Sequence, residues 1–235
     1  MRDAQWIATL LRAGLLKGSF IPDKAFRELR HLTRYRKSIV HDITAQKNRI
    51  DKLLQSSGFR FTAFLSDAFG ASGRNIIRHL MEYGSISWET LDKCLKTQTR
   101  KRIDEILIAL NGSLSEHQRS FLRMVFGHLE ALEQHRRTVE DAIVEEITKH
   151  EEALSLLCSI PGIDVTAAAA IIAEIGTDMS AFPDSQHICS WAGLSPGNHE
   201  SAGKRKSVHI NKGNPYLKSM LCEVGWVMSG KRAWY

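Results

Sequence analysis

The chain has 235 residues, of which 43% are hydrophobic and 25% are charged. These values are typical of folded globular proteins and exclude fibrous and low-complexity classes. No apolar run approaches the roughly 20 residues of a membrane-spanning helix, and an acid, Asp3, stands where a signal peptide has basic residues. The four cysteines lie far apart, without a Cys-x-x-Cys pair. We therefore expect a cytoplasmic protein with reduced thiols and no membrane contact.

Positive charge is concentrated at the two ends of the sequence. The net charge is +8 over residues 1–60, −8 over residues 61–200 and +6 over residues 201–235. Concentrated positive charge suits a phosphate-rich partner, whereas an evenly spread excess would favour little beyond solubility.

The first predicted helix covers residues 4–16, because apolar residues recur there at helical spacing. Asp3 lies in its first turn, where a carboxylate complements the helix dipole. A long helical stretch is expected to begin after Pro22. Arginines at four positions near its start face either solvent or a nucleic-acid groove; they are Arg27, Arg30, Arg34 and Arg36.

A seven-residue repeat runs through this long helix, and a second repeat follows in an acidic stretch later in the chain. Spacings that alternate between four and three residues are typical of a coiled coil. We expect the two stretches to pair antiparallel within the chain, with homodimerisation as the alternative. The repeat positions are Leu32, Arg36, Ile39, Ile43, Gln46, Ile50 and Leu53 in the first stretch, and Leu129, Leu132, Arg136, Val139, Ile143, Glu146, His150 and Ala153 in the second.

Between these stretches the pattern predicts helices over residues 74–83 and 87–110, after a turn-rich loop at residues 66–73. Ser115 and Gln118 have the spacing of a capping box, which predicts the start of another helix. No segment before residue 200 has the alternating pattern of a strand.

Residues 157–176 resemble a helix-hairpin-helix module, with a turn at Pro161-Gly162-Ile163. In such a module a glycine allows the backbone to approach a phosphate closely, which makes Gly162 a candidate nucleic-acid-binding residue. The alternative is a helical hairpin that is packed only for stability.

A serine followed by three consecutive cations lies near the end of the chain. Ser201 stands on a glycine-flanked loop before Lys204, Arg205 and Lys206, and Lys212 follows closely. A serine that attacks phosphorus needs nearby positive charge and a group that removes its proton. His199 and His209 flank Ser201 as candidate proton carriers. A solvated turn is the alternative interpretation.

Helices are expected over residues 185–192 and 216–228 on either side of this loop. Trp191 and Trp226 have apolar neighbours, so we expect both in the core rather than on a base-stacking surface.

The sequence resembles the DEDD-type insertion-sequence transposases, the bridge-RNA-guided serine recombinases. The resemblance extends over nearly the whole chain. The segments that carry it are, in order, Asp3-Ala4-x-Trp6-Ile7-Ala8, Ser19-Phe20-Ile21-Pro22, Arg27-Glu28-Leu29-Arg30-x-Leu32-Thr33-Arg34-Tyr35-Arg36, Asn48-Arg49-Ile50, Ile160-Pro161-Gly162-Ile163, Trp191-Ala192-Gly193-Leu194-x-Pro196, Ser201-x-Gly203-Lys204 and Lys212-Gly213-Asn214-x-x-Leu217.

The resemblance implies that strand cleavage joins DNA to Ser201 and that Mg²⁺ assists, while a structured RNA selects the DNA sites. Asp3 matches the last acid of the family's metal-binding tetrad, so it is the implied metal ligand and a catalytic residue. The other three acids have no counterpart in this sequence. A single carboxylate cannot form a complete Mg²⁺ site, because Mg²⁺ prefers octahedral oxygen coordination.

The expected fold is mainly α. We expect residues 1–19 to be the remnant of a RuvC-like domain, residues 20–153 a helical coiled-coil region, and residues 154–235 a compact helical transposase domain with a helix-hairpin-helix-like element. This predicts a fragment of a transposase that binds DNA, and structured guide RNA as a further partner. It would act as a homo-oligomer or with a separate N-terminal chain. The alternative is a non-catalytic helical protein that binds DNA or dimerises.

Overall fold

The structure, a computed structural model, describes residues 2–16, 20–65, 67–197, 199–201, 204–207 and 210–230, with the backbone alone at residues 2, 61, 97–98, 199–201 and 204–207. The fold is mainly α-helical, as the sequence predicts. No helix in the described part of the chain combines the length and apolar content that crossing a membrane requires.

The helices and strands follow one another along the chain with short 3₁₀ turns between some of them. The α-helices are α1 (Arg2–Arg12), α2 (Lys24–Ser56), α3 (Ala71–Tyr83), α4 (Trp88–Cys94), α5 (Thr97–Arg100), α6 (Ile103–Ala109), α7 (Glu116–Ile147), α8 (Glu151–Cys158), α9 (Val165–Ile175), α10 (Ser185–Ala192) and α11 (Pro215–Gly230); the strands are β1 (His199–Ser201) and β2 (Lys204–Ser207).

The chain divides into two compact units. Unit 1 comprises Met1–Arg34 and Asp141–Tyr235, and unit 2 comprises Tyr35–Glu140. The long helices α2 and α7 each contribute residues to both units.

Within unit 2, α2 and α7 run antiparallel. The Gln118 side chain, near the start of α7, donates a hydrogen bond of 3.0 Å to Ser57 Oγ, just after α2 ends. Earlier in α2, Arg36 Nε donates a 2.8 Å bond to Glu140, late in α7. Pairing within the chain accounts for these contacts.

The buried positions of α2 and α7 follow the predicted repeat only in part. Ile39, Ile43, Gln46 and Ile50 are buried at the expected spacing, but α2 then buries Leu54 rather than Leu53. In α7 the buried residue is Ile147 rather than Glu146. A helix with 3.6 residues per turn drifts relative to a seven-residue repeat, and an apolar neighbour then takes the buried position.

The helical stretch expected over residues 87–110 is divided into three short helices, α4, α5 and α6. Leu95 and Lys96 adopt extended backbone angles, and Arg102 is also non-helical. The capping box at the start of α7 is confirmed. Gln118 N–H donates to Ser115 Oγ at 3.3 Å, and Ser115 N–H donates to Gln118 Oε1 at 2.9 Å.

The core of unit 1 is built from α9, α10 and α11. Ala168, Leu217 and Val224 lie in one buried cluster, with Trp191 packed against it. Trp226 does not belong to this core, contrary to expectation, since its side chain is 82% exposed. Leu217 and Val224 mark the buried face of α11, and a residue two positions after Val224 points to the opposite side of a helix.

Candidate nucleic-acid interface

Ser201 lies on a β-hairpin rather than on the predicted open loop. Strand β1 pairs antiparallel with β2, and Ser201 is the cross-strand partner of Lys204. Glu200 is paired with Arg205, and Lys206 also lies in β2. The motif residue Gly203 and the candidate proton carrier His209 lie outside the described residues, whereas His199 is in β1.

The two chain segments that flank the hairpin are joined to each other. Pro196 and Ile210 form an isolated antiparallel bridge, and Asn211 N–H donates to the Ser195 carbonyl at 3.2 Å. Asn214 N–H donates to the Trp191 carbonyl at 2.8 Å. The hairpin is therefore held at its base by backbone contacts.

Gly193 and Gly213 allow these two segments to touch. A Cβ atom on Gly213 would lie 2.2 Å from the backbone nitrogen of Gly193, which no side chain tolerates. Gly193 has a φ of 72°, in the left-handed region that favours glycine. Both positions belong to the segments around Trp191 and Lys212 that carry the family resemblance.

Beneath the hairpin base, Glu174 is the centre of a buried cluster of polar groups. Its side chain is 2% exposed. Arg34 donates to both of its carboxylate oxygens, Nε to Oε1 at 2.8 Å and Nη2 to Oε2 at 2.9 Å. Asn214 Nδ2 donates to Oε2 at 2.6 Å, and Arg30 Nε lies 3.1 Å from the same oxygen. We call these four residues the Glu174 cluster.

The same residues connect four elements of unit 1. Arg30 also donates to the backbone carbonyls of Ala173 and Glu174, at the end of α9. Asn214 Oδ1 accepts from the N–H groups of Tyr216 and Leu217, and so caps α11. The Glu174 cluster thereby joins α2, α9, α11 and the segment that ends the hairpin.

The two arginines of the Glu174 cluster respond differently to their surroundings. Burial lowers the pKa of Arg30, while the hydrogen bonds to Glu174 raise the pKa of Arg34. Arginine loses its proton only far above neutral pH, so both guanidinium groups remain charged. They are structural partners of Glu174, a role that the sequence did not indicate.

A cleft of about 720 Å³ opens beside the Glu174 cluster, and we call it the Lys212 cleft. Its wall includes Phe20, Trp191 and Tyr216, and Lys212 and Arg34 add positive charge. The Arg34 guanidinium lies 4.2 Å from the centre of the Tyr216 ring. The indole nitrogen of Trp191 is buried without a hydrogen-bond partner among the described residues. An aromatic wall with a cationic rim is a surface that suits a nucleotide.

The predicted turn at Pro161-Gly162 lies between α8 and α9. Gly162 has a φ of 89°, and a Cβ atom there would be 3.3 Å from the Val227 side chain. Packing against α11 thus accounts for the glycine. Phosphate binding by this turn stays a prediction.

Two segments of the chain match known protein families. Residues 154–235 match the family described as the transposase IS116/IS110/IS902 family. Residues 1–58 match the transposase family DEDD_Tnp_IS110. Both matched segments are therefore similar to IS110-type transposases.

Two curated proteins are also similar to this chain. The protein y4qE of Sinorhizobium fredii, whose name assigns it to the transposases, is 23% identical over 243 residues that cover 100% of this chain and 50% of the relative. An uncharacterised 43.6 kDa protein of the insertion element IS110 from Streptomyces coelicolor is 33% identical over 91 residues, 38% of this chain and 22% of the relative. The chain spans half the length or less of these relatives.

Asp3, the metal ligand that the family resemblance implies, is exposed in the first turn of α1. The described residues contain no group of three or more His, Cys, Asp or Glu side chains that could hold a metal ion. One carboxylate supplies too few oxygen ligands for Mg²⁺. The residues present therefore do not fit a Mg²⁺ site by themselves.

The sequence pattern alone did not predict the role of Glu174. The available signal was a single carboxylate inside the apolar helix α9, since a fully buried glutamate almost always has a charged partner. The partners were not identifiable, because Arg34 lies 140 residues away in the sequence.

Proposed function

We propose that this chain is the serine-bearing part of an IS110-type transposase and that it binds nucleic acid through β1, β2 and the Lys212 cleft. The observation that carries the proposal is the backbone pairing of Ser201 with Lys204 on a hairpin anchored beside that cleft. Directly opposite residues are neighbours in an antiparallel pair. Lys204, Arg205, Lys206 and Lys212 provide the positive charge that a phosphate backbone requires.

In this proposal Ser201 is the nucleophile of strand cleavage. Its Oγ forms a bond to phosphorus, the bond from phosphorus to one sugar oxygen breaks, and that oxygen takes up a proton. The serine proton passes to a base, for which His199 is the candidate on β1. The cations of β2 offset the negative charge that develops on the phosphate oxygens.

In this proposal Asp3 contributes to the reaction only together with further acidic residues that the described part of this chain does not supply. Mg²⁺, bound by such a complete set, would stabilise charge on the reacting phosphate. Structured RNA as the selector of DNA sites is part of the same proposal and follows from the family resemblance.

Binding of the full chain to duplex DNA and to structured RNA across a salt series tests the proposal. The triple variant Lys204→Ala/Arg205→Ala/Lys206→Ala should weaken binding and reduce the slope of log affinity against log salt by about one for each phosphate that is no longer neutralised. Ser201→Ala should leave affinity unchanged, because its proposed role is in chemistry. No binding at low salt by a folded chain would contradict the proposal.

A matched control is available in unit 2. Lys52, Arg60 and Lys101 are exposed, and none makes a side-chain hydrogen bond or ion pair with another described residue. Lys52→Ala/Arg60→Ala/Lys101→Ala removes the same net charge. Equal weakening by both triple variants would indicate a general charge effect and would refute binding at the hairpin.

An assembly role is a second candidate, favoured by the surface of α1. Trp6, Ile7 and Leu11 are 63%, 55% and 65% exposed. Large apolar side chains that lie together on a surface mark contact sites. We propose that another copy of the chain or a separate N-terminal chain covers them, and the mass of the chain in solution, with and without such a chain, distinguishes the two.

A further inference from the structure

A second cationic cavity lies in unit 2, between α3 and α7. It has a volume of about 440 Å³, and its charged lining consists of four arginines and two glutamates. We call it the arginine cleft; these residues are Arg74, Arg78, Glu130, Glu133, Arg136 and Arg137.

The two arginines of α3 already have acidic partners on α7. Arg74 Nη2 donates to both carboxylate oxygens of Glu133, at 2.6 and 2.8 Å. Arg78 Nη2 donates to Glu130 at 2.8 Å. Both guanidinium groups also lie 5.7 Å from the centre of the Phe126 ring. These contacts fix the wall of the cleft and consume its two carboxylates.

Arg137 has no acidic partner within the described part of the chain. It is exposed and follows Glu133 by four residues on α7, the spacing of a helical ion pair. Arg74 occupies both oxygens of that glutamate, however, and Arg137 makes no hydrogen bond or ion pair with another described residue.

The positive charge of Arg136 is only weakly compensated. Its Nε atom is buried and has no hydrogen-bond partner among the described residues. The carboxylate oxygen of Glu140 lies 3.9 Å away. Arg36 already holds that oxygen through Nε at 2.8 Å and Nη2 at 2.7 Å. The arginine cleft therefore has an excess of positive charge and unused donors.

The charge of the whole unit agrees with this local excess. Unit 2 contains 17 lysines and arginines against 12 aspartates and glutamates. This excess is not visible along the sequence, because residues 61–200 carry a net negative charge. Unit 2 contains only residues 61–140 of that range, together with basic residues of α2.

We propose that the arginine cleft binds a phosphate group of a nucleic-acid backbone, with Arg136 and Arg137 as the donors to its oxygens. A guanidinium presents a planar fork of N–H groups that matches the oxygens of a phosphate. The inference rests on the proposed function for the class of ligand, but it assigns a second contact, in the unit that does not contain Ser201. A phosphodiester of DNA and one of RNA offer the same chemistry.

The test uses the full chain with duplex DNA and duplex RNA of the same sequence across a salt series. Arg137→Ala should weaken binding of at least one duplex about tenfold, as expected for loss of one charge-assisted hydrogen bond. The salt slope should fall by about one. Arg136→Gln/Arg137→Gln should weaken binding further, and Arg137→Lys should retain the salt slope because it keeps the charge.

Arg60→Ala is the matched control, since Arg60 is an exposed arginine of the same unit outside the cleft. An equal loss for Arg60→Ala and Arg137→Ala would overturn the proposal. Weaker binding of only one duplex by Arg137→Ala identifies DNA or RNA as the source of the phosphate and supports the proposal.

The remaining outcomes separate this inference from the proposed function. Binding that Lys204→Ala/Arg205→Ala/Lys206→Ala weakens and Arg137→Ala leaves unchanged would overturn the arginine cleft alone. Absence of binding by the unchanged chain at low salt would overturn both. Binding of a polyglutamate peptide that depends on Arg137, without such dependence for either duplex, would indicate an acidic protein partner and overturn the phosphate assignment.

Discussion

Arg34 and Glu174 are joined by two parallel hydrogen bonds of 2.8 and 2.9 Å, although 140 residues separate them in the sequence. The carboxylate is 2% exposed, and the arginine side chain is 35% exposed. The same carboxylate accepts a bond from Asn214, which caps α11. One buried charge therefore connects α2 and α9 with the segment that carries Lys212.

Removing that charge should destabilise unit 1. In Glu174→Ala the guanidinium groups of Arg30 and Arg34 lose their common partner, and we expect a loss of about 3 kcal/mol in the free energy of unfolding. Arg34→Lys, which loses the two-pronged contact, should cost about 1.5 kcal/mol. Urea unfolding measures both changes.

Arg27→Lys serves as the control for these variants, because Arg27 is an exposed arginine on the same helix. It should change stability little. If Glu174→Ala were as stable as the unchanged chain, the Glu174 cluster would not be what holds these elements together.

Gly213→Ala should disturb the base of the hairpin. The added methyl group would overlap the backbone of Gly193, so the two segments must separate. We expect a lower melting temperature together with weaker nucleic-acid binding.

Gly225→Ala in α11 is the control, since a Cβ atom there has open space. It should stabilise the helix by up to about 1 kcal/mol. Normal binding by a folded Gly213→Ala chain would contradict a role for this contact in the interface.

Asp184 should make α10 sensitive to acid. Its carboxylate accepts from the His187 backbone N–H at 3.0 Å and lies 2.7 Å from His187 Nδ1. The hydrogen bonds with the His187 side chain and backbone hold the pKa of Asp184 below its ordinary value of 3.8. A lowered folded-state pKa gives stability that is present above the unfolded-state pKa and is lost as the pH falls through the folded-state value.

The stability of Asp184→Asn should consequently fall less than that of the unchanged chain between about pH 5 and pH 2. Urea unfolding at several pH values measures the difference. Asp141→Asn is the control, because exposed Asp141 makes no hydrogen bond or ion pair with another described residue. Identical pH profiles for Asp184→Asn and the unchanged chain would refute the capping contribution.

The exposed apolar side chains of α1 should promote association. Trp6→Gln/Leu11→Gln is expected to reduce self-association or binding of a separate N-terminal chain, as measured by sedimentation velocity. Ile108→Gln removes a single apolar side chain that is 79% exposed on α6 and should have no such effect. An unchanged distribution of masses for the double variant would exclude α1 as a contact surface.

Local sequence signals predicted helices well where residues close together in the sequence fix the start of the helix. Ser115 and Gln118 form the expected capping box, and residues 185–192 form α10 as predicted. Asp184 is the N-cap of that helix. Such contacts join residues that are close in the sequence, so their spacing is sufficient to predict them.

The same local signals do not predict the hairpin or the Glu174 cluster. Lysine is depleted in strands, so Lys204-Arg205-Lys206 did not indicate β2. The partners of Glu174 come from α2 and from the segment before α11, and no periodic pattern links them. The functional assignments of Ser201 and Asp3 rest on the family resemblance and stay predictions.

Hydrogen exchange of the full chain with and without duplex DNA locates the nucleic-acid interface, because it maps the contacted backbone without any substitution. We expect slower exchange in peptides that cover β1, β2 and the segment from Asn211 to Tyr216 when DNA is bound. Slower exchange confined to other peptides, or none at a DNA concentration that saturates binding, would contradict the claim that the serine hairpin and the Lys212 cleft form the nucleic-acid interface.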